Sequence, residues 1–488
     1  MKITILGAGI GGMSAAALLA HQGFDVKILE QNANYGGKAG QINKSNYIFD
    51  TGPSLLTFPE WIDELFEQCN KNPRDYFDYF HLDKITRYFF KDESYLDVTS
   101  DLELTSKNFE KYSGLESKKF LKYFKLWEKI YEISERTFLK GEMTYNLSFF
   151  KNAFLWFTKA GVRNIFSSMA NYNSNKLENK NVEQIMNRFA TYTGSSPYKT
   201  PAFMNQLAVV EMIKGAYFPK GGMFSIPSAL YQLCIDLGVS FSFNEKVCSL
   251  KIENNGVLVQ TENESYYPEI CISNIDYFVT QKLMSNNSFI SPEKLSTSAI
   301  VFYWGIKSKF NQLELHNILF SEDYRKEFSE IFDLHKIPDE LTIYINITSK
   351  LESSHAPEGC ENWFVMVNIP PRPDLVTKNE IQRVKKFIIK TINLKLKTDI
   401  EKLIEFEKIL TPNTLYKDTG AFNGALYGDH QNSLHSIINR KKNEDNENKN
   451  MFYVGGSVHP GGGIPLALRS GVNTAEKIKN AYKEVSIL

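Results

Sequence analysis

The chain opens with Lys2-Ile-Thr-Ile-Leu-Gly7-Ala-Gly9-Ile-Gly-Gly12, which an alanine-rich stretch follows as far as His21. The apolar, β-branched residues before Gly7 predict a buried strand, and residues 13–21 predict a helix packed against it. Residues 25–30 predict a second strand. Together these segments form a βαβ unit. The sequence therefore predicts a parallel sheet with right-handed crossovers at the start of the fold.

The glycines of the first turn have the G-x-G-x-x-G spacing of dinucleotide-binding sites. Gly7 permits a tight turn, Gly9 lets a pyrophosphate approach the backbone, and Gly12 lets helix and strand pack closely. The helix N-terminus beyond them attracts a diphosphate. Glu30 ends the second strand, where a carboxylate can accept hydrogen bonds from ribose hydroxyls and disfavours the phosphate of NADP. The motif predicts a dinucleotide cofactor and leaves NAD and FAD open.

A glycine pair and a cation, residues 36–38 (Gly-Gly-Lys), follow Glu30 closely. At this point the chain resembles the flavin amine oxidase and phytoene desaturase superfamily, in which an acid precedes Gly-Gly and a basic residue. The resemblance implies FAD as the cofactor. It also places Lys38 against the diphosphate, as a point charge where the bidentate Arg is commoner. The alternative for Lys38 is a solvated loop cation.

Three further segments, in order along the chain, resemble carotenoid desaturases. Residues 47–54 (YIFDTGPS) are similar to the family's F-D-x-G-P segment beside the flavin ring, residues 218–227 to its F-P-x-G-G segment, and residues 454–465 to its C-terminal signature. The resemblance implies an FAD-dependent oxidoreductase that acts on CH–CH groups of a carotenoid. Residues 188–198 (RFATYTGSSPY) are similar to the counterpart in hydroxycarotenoid 3,4-desaturases, which favours 3,4-desaturation of a hydroxylated carotenoid.

The resemblance also implies cofactor contacts beyond the first motif, each of which has a purely structural alternative as a strand end or turn. They are Gly52, Ser54, Leu55, Val247, Asn274, Leu426, Gly456, Gly463, Ile464 and Pro465. The terminal glycines leave room for a flat ring, and free N–H groups of the helix that begins near Pro465 can stabilise negative charge on a reduced flavin. His459 suits a turn-fixing hydrogen bond at least as well as a base. No catalytic residue is assigned, and no metal site is predicted.

The length of 488 residues predicts two domains. Residues 59–180 show a helical, aromatic pattern, whereas residues 298–306, 341–347 and 363–369 predict a mostly antiparallel second sheet. Residues 254–256 (Asn-Asn-Gly) predict a hairpin turn. The predicted fold class is α/β: a Rossmann-type FAD-binding domain from residues 1–75, 215–290 and 410–488, with an inserted α+β substrate and membrane-facing domain from residues 76–214 and 291–409.

Charge and hydropathy limit the partners. Lys plus Arg equals Asp plus Glu at 56 each, so nucleic acid is not expected as a partner. No stretch approaches the roughly 18 apolar residues that span a bilayer, and the start lacks the features of a signal peptide. The sequence predicts a cytoplasmic protein that is peripherally associated with a membrane.

The segment 146–169 is the candidate membrane contact, with apolar and cationic residues at helical spacing: Phe149, Phe150, Ala153, Phe154, Phe157, Lys151, Lys159 and Arg163. Packing of these rings onto the second domain is the alternative.

A carotenoid has almost no polar groups that a protein could bind, so the implied substrate requires an apolar tunnel. FAD accepts the hydride, and its reoxidation needs oxygen or a quinone, because the sequence has no iron–sulfur or disulfide motif. Alternatives on the same frame are a phytoene or diapophytoene desaturase, a carotenoid isomerase and a terminal oxidase. More distant alternatives are a flavin amine oxidase and a non-enzymatic flavin-binding carotenoid carrier.

Overall fold

The protein, seen in a computed structural model that describes residues 1–92, 94–139, 147–253, 256–284 and 292–483, is built on two large sheets. The first has five parallel strands, and residues 2–6 form its central strand. The strands are, in sheet order, Met451–Tyr453, Ile270–Ser273, Lys2–Leu6, Asp25–Leu29 and Ser240–Ser242. The sheet thus collects strands from both ends and the middle of the chain.

The second sheet has seven strands, paired antiparallel except where residues 317–319 run parallel to residues 87–89. In sheet order they are Ile404–Leu410, Ser298–Ile306, Glu361–Ile369, Ile343–Asn346, His316–Leu319, Lys84–Phe89 and Tyr95–Thr99. The predicted α/β class, with a Rossmann-type domain and a mostly antiparallel second sheet, is confirmed. The strands of the parallel sheet lie in the predicted FAD segments, while the domain boundaries themselves stay a prediction.

Smaller strands complete the described β-structure: Gln41–Lys44, Tyr47–Asp50, Tyr79–His81, Tyr217–Pro219, Val247–Glu253, Gly256–Thr261 and Ser265–Tyr266. The α-helices are Ile10–His21, Pro59–Gln68, Leu102–Ser113, Ser117–Ser134, Leu147–Ala160, Val162–Phe166, Met169–Leu177, Lys180–Arg188, Gln206–Met212, Ser225–Asp236, Tyr277–Met284, Tyr324–Phe332, Lys378–Leu396, Pro412–Thr419, Leu434–Ile438 and Ile464–Lys483.

The helix Ile10–His21 packs between the sheet and the final helix Ile464–Lys483. Small residues make this approach possible, because a Cβ on Gly471 would lie 2.2 Å from the carbonyl oxygen of Gly11. This explains the alanine-rich sequence of the helix, which is buried over most of its length.

The two faces of the second sheet pack into different hydrophobic cores, as the strand Ser298–Ile306 shows. Alternate side chains point to opposite faces of a strand. Phe302 and Trp304 join the core that contains Ile388 of the helix Lys378–Leu396, whereas Val301 joins the opposite face. That opposite face looks toward the interior between the two sheets, where Val301 lines a cavity.

The segment 59–180 was predicted to be helical, but it also contains the strands Tyr79–His81, Lys84–Phe89 and Tyr95–Thr99, so that prediction is wrong for residues 79–99. The β-branched and aromatic residues there suit strands, and pairing with residues 317–319 extends the second sheet. The strands Val247–Glu253 and Gly256–Thr261, on either side of the predicted hairpin turn, pair antiparallel, and residues 254 and 255 of that turn lie outside the described residues.

Candidate active site and cofactor cavity

A cavity of about 1250 Å³ lies between the two sheets. Pockets for one small ligand usually measure about 300–1000 Å³, so this volume suits a cofactor together with a second ligand. The predicted cofactor residues Gly7, Gly9, Glu30, Lys38, Gly52, Ser54, Leu55, Val247, Asn274, Leu426, Gly456, Gly463, Ile464 and Pro465 all line it. Gly12, whose predicted role is helix packing, does not.

The first glycine turn leaves no room for side chains. Gly7 has a φ of +98°, and a Cβ on Gly12 would lie 2.5 Å from the carbonyl oxygen of Gly7. Asn274 lies beneath the turn, where its Nδ2 donates to the Gly7 carbonyl at 3.4 Å. A Cβ on Gly9 would lie 2.5 Å from the same Nδ2. Asn274 therefore supports the turn, and the bare backbone at Gly9 fits the close approach of a diphosphate.

Glu30 is a buried carboxylate that accepts hydrogen bonds with both oxygens. Its Oε2 accepts the Ala8 N–H at 2.8 Å, and its Oε1 accepts the N–H and the side-chain amide of Asn32 at 2.9 and 3.0 Å. Burial raises the pKa of Glu30, while these hydrogen bonds act in the opposite direction. A carboxylate has further lone pairs, so Glu30 can also accept ribose hydroxyls.

Lys38 links the loop of residues 36–38 to the opposite wall of the cavity. Its Nζ donates to the carbonyl of Leu426 at 2.8 Å and to that of Ala425 at 3.4 Å. Burial lowers the pKa of Lys38, and the charge of Asp276 acts in the opposite direction. Lys38 is therefore held in place rather than solvated as a loop cation, and its contact with a diphosphate stays a prediction.

The segment around Gly52 passes between that loop and the second sheet. A Cβ on Gly52 would lie 2.0 Å from the Lys38 carbonyl oxygen. Just before it, the buried carboxylate of Asp50 accepts the N–H groups of Met223 and Phe224 at 2.8 and 3.0 Å. Asp50 thus joins two of the family-like segments, residues 47–54 and 218–227.

The C-terminal glycine turn is fixed by Arg440. Its guanidinium donates to the carbonyls of Val458 at 2.9 Å, Tyr427 at 3.0 Å and Gly456 at 2.5 Å, and burial lowers its pKa to about 10. A Cβ on Gly463 meets nothing within 4 Å, so open space lies where a flat ring is expected. The helix Ile464–Lys483 begins directly afterwards.

Apolar side chains line the rest of the cavity between the helices and the second sheet. They include Leu139, Trp156, Phe157, Phe203, Met204, Leu207, Val210, Val301, Ile318, Phe328, Phe364 and Met366. This arrangement matches the apolar tunnel that a long hydrocarbon requires.

Two buried polar groups in this part of the cavity were missed by the sequence interpretation. Arg188 Nη2 lies 3.2 Å from both carboxylate oxygens of Glu211, and Tyr192 donates to the same carboxylate. The Nδ1 of His316 lies 2.7 Å from the Tyr344 hydroxyl. Arg188 and Tyr192 lie in the segment 188–198, whose resemblance indicated a subgroup of the family but not these contacts. Their partners and His316 lie on other helices and strands and belong to no local motif.

The described residues contain no cluster that could hold a metal ion. Nor does the structure contain, in the ranges it describes, a helix long and apolar enough to cross a bilayer.

The geometry agrees with comparisons to known proteins. A family model described as flavin containing amine oxidoreductase matches residues 10–279. A 1-hydroxycarotenoid 3,4-desaturase of Flavobacterium sp. (strain P99-3) is 38% identical, covering 98% of this chain and 99% of the relative. A 4,4'-diapolycopene oxygenase of Methylomonas sp is 29% identical, covering 98% of each.

Among solved structures, an oxidoreductase from Methanosarcina mazei is 13% identical with a TM-score of 0.65, covering 98% of this chain and all of that one. At this identity the likeness concerns the fold. The full-length match at 38% identity carries the family assignment, and the glycine turns, Glu30 and the open ring site fit a flavin dinucleotide. The chain is an FAD-dependent oxidoreductase that belongs to the carotenoid desaturase family within the flavin-containing amine oxidoreductases.

Proposed function

We propose that the protein introduces the 3,4 double bond into a carotenoid that carries a hydroxyl near one end. The observation that carries this is the shape of one continuous cavity, in which the predicted cofactor residues join an apolar stretch. The name of the 38% identical relative supports the same reaction. Bound FAD supplies the hydride acceptor.

The cofactor contacts are part of this proposal. Glu30 binds the adenosine ribose, Lys38 the diphosphate, and the turn from Gly456 to Pro465 the flavin ring. The apolar walls bury the polyene at about 25 cal/mol per Å² of apolar surface. They also exclude water from the carbon atoms that react. Because hydrocarbon contacts have little directionality, the walls fix the depth of the substrate less sharply than a polar contact does.

Product analysis tests the reaction. The purified flavoprotein is incubated with a 1-hydroxylated carotene and with the same carotene lacking the hydroxyl, and the products are separated and weighed by mass spectrometry. We expect the hydroxylated product to be lighter by two hydrogen atoms, with the new double bond at C3–C4. An unchanged mass with altered geometry indicates an isomerase, a gain of oxygen indicates a terminal oxidase, and bound but unchanged carotenoid indicates a carrier. Oxidation of an amine but of neither carotene indicates an amine oxidase.

We also propose that the protein takes its substrate from a membrane surface through the helix Leu147–Ala160. Phe154 is 71% exposed and Phe157 is 44% exposed, and Phe166 of the next helix is 76% exposed. Phe157 also lines the cavity. Exposed rings at the margin of an apolar cavity suit a passage for a lipid-soluble ligand.

Lys151 and Lys159 are exposed on the same helix, where they can meet anionic headgroups. Residue Asn146 and the side chains of Phe149, Phe150, Ala153 and Arg163, which the sequence also indicated, lie outside the described part of the chain.

Liposome sedimentation tests the docking surface. The Phe154→Ser, Phe157→Ser double variant should bind liposomes roughly 100-fold more weakly or worse, since burying each of the two Phe side chains contributes about 1.5–3 kcal/mol and every 1.4 kcal/mol is about tenfold. The matched control, Ile235→Ser with Leu394→Ser, removes two other exposed apolar side chains. Equal liposome binding by the parent and the first variant, with FAD content intact, would contradict the assignment.

We propose oxygen or a quinone as the electron acceptor. Among the described residues the five cysteines are unpaired and no metal cluster is present, so the described part of the chain offers no internal acceptor. The reduced flavoprotein, prepared without oxygen, should regain its oxidised absorbance on addition of oxygen or of a short-chain quinone. A reduced flavin that survives both would require a dedicated protein acceptor.

A further inference from the structure

Five polar side chains, which we call the polar group, form part of the wall in the otherwise apolar region of the cavity, and two of them, Arg188 and His316, are buried. Arg188, Tyr192, His316, Tyr344 and Ser54 all line it. The Tyr344 hydroxyl lies 2.7 Å from His316 Nδ1 and 2.6 Å from the Ser54 hydroxyl. Ser54 belongs to the segment proposed to pass the flavin ring. The polar group therefore lies next to the reaction site rather than at the outer end of the cavity.

His316 presents one ring nitrogen without a partner. Its side chain is buried, and Nε2 has no hydrogen-bond partner among the described residues. Asn346 Nδ2 lies 3.1 Å from His316 Nδ1 and also donates to the Leu315 carbonyl at 3.1 Å, which fixes the orientation of the amide. Because an NH₂ group only donates, Nδ1 must be the acceptor. The proton of the neutral imidazole is thus on Nε2, which is a free donor.

The neutral state of His316 follows from its surroundings. Burial, assisted by the positive charge of Arg188, lowers its pKa to about 3. A second donor comes from Arg188 itself, whose Nε has no partner among the residues described. The Glu211 carboxylate balances the charge of Arg188. The group therefore offers N–H donors without net charge, which suits a neutral oxygen acceptor rather than an anion.

On the basis of the function proposed above, we infer that His316 Nε2–H, with Arg188 lining the same cavity, binds the hydroxyl oxygen of the substrate and so selects hydroxylated carotenoids. In a 1-hydroxylated substrate the hydroxyl is only a few carbon–carbon bonds from the 3,4 position. A polar group next to the flavin site is where such an oxygen must lie when these carbons meet the cofactor. The contact fixes the depth of a chain that the apolar walls alone leave free to slide.

The contact should be worth about 1–3 kcal/mol, as for a buried hydrogen-bonding group that otherwise lacks its partner. At about tenfold per 1.4 kcal/mol, this corresponds to a preference of roughly 5- to 150-fold for the hydroxylated carotene over the same carotene without the hydroxyl. We expect the same preference in the dissociation constants of the two carotenes and in their values of kcat/KM.

Two variants of His316 distinguish the roles of its two ring nitrogens. His316→Asn keeps a polar atom near the position of Nδ1 and removes Nε2, whereas His316→Gln keeps a polar atom near the position of Nε2. Gln206→Leu is the matched control, because Gln206 also lines the cavity and its Oε1 has no partner among the described residues. Each flavoprotein is titrated with the two carotenes by fluorescence quenching, and kcat/KM is measured for both.

The parent and the Gln206→Leu variant should prefer the hydroxylated carotene, the His316→Asn variant should lose at least fivefold of that preference, and His316→Gln should restore part of it. Equal dissociation constants of the parent for the two carotenes would overturn the inference. So would a preference lost in Gln206→Leu but kept in His316→Asn. If the dissociation constants show a preference that depends on His316, but no desaturated product forms, the hydroxyl contact is supported and the proposed reaction is overturned.

Discussion

Replacing Glu30 by Gln tests both roles of this carboxylate. Its oxygens accept the N–H of Ala8 on one side and two donors of Asn32 on the other. A side-chain amide has one acceptor oxygen, so one of these donors must face an NH₂ group. Leaving a buried donor without a partner costs about 1–3 kcal/mol, and we expect the free energy of unfolding of the flavin-free protein to fall by that amount.

The affinity for FAD should fall in addition. A charge-assisted hydrogen bond to the ribose is about twice as strong as a neutral one, a difference of about 1.4 kcal/mol, which is tenfold in the dissociation constant. Titration of the flavin-free protein with FAD, followed by flavin fluorescence, measures this constant, and urea unfolding measures the stability. The control Asn32→Ala removes the 3.0 Å side-chain bond to Glu30, together with a 2.9 Å bond to the Asp418 carbonyl, and keeps both backbone N–H bonds to Glu30. A destabilised Glu30→Gln variant whose dissociation constant stays within twofold of the parent would refute the ribose contact.

Three other predictions concern ionisable side chains that line the cavity or pair with a residue that does. Lys38→Met should raise the dissociation constant of FAD by about tenfold or more, the value of a charged hydrogen bond, and an unchanged constant in the same titration would remove Lys38 from the cofactor site. Glu211→Gln leaves the buried Arg188 without its counter-charge and should destabilise the protein by about 3–5 kcal/mol, whereas Glu380→Gln, which breaks a partly exposed pair, should cost under about 1 kcal/mol in urea unfolding. His316 has a pKa lowered to about 3, so the unfolded chain takes up a proton that the native state does not as pH falls from about 6.5 toward 3. Its contribution to stability, fully present above pH 6.5, should therefore be lost at about 1.4 kcal/mol per pH unit, and a His316→Asn variant should show a flatter slope between pH 6.5 and 5.

Much of the cofactor half of the fold follows from the sequence, because its motifs are local. The turn from Gly7 to Gly12 and the helix after it depend on residues within a few positions of one another. The sequence predicts that Ile464 and Pro465 lie in the first turn of the final helix, and the helix begins at Ile464. Such features are set by backbone freedom and by apolar periodicity, both of which can be read in a short window.

The second half was less predictable, because its structure depends on distant partners. The strand Lys84–Phe89 owes its place to pairing with residues 317–319, more than 200 positions later. His316 and Arg188 meet in one cavity through the same long-range topology. A lone histidine in a strand carries no local signal, and the segment that begins with Arg188 indicates a family without indicating which residues its side chain contacts. Only the assembled fold reveals the polar group.

The central strand of the parallel sheet, residues 2–6, has a consequence for how the protein is made. Its neighbour Ile270–Ser273 is synthesised more than 260 residues after it, and the helix Ile464–Lys483, which packs on Ile10–His21, is synthesised later still. The apolar surface of the first βαβ unit therefore stays without these partners until both segments have been made. Because Gly7 and Pro465 line the same cavity, the complete flavin site exists only after the chain has been made as far as residue 465.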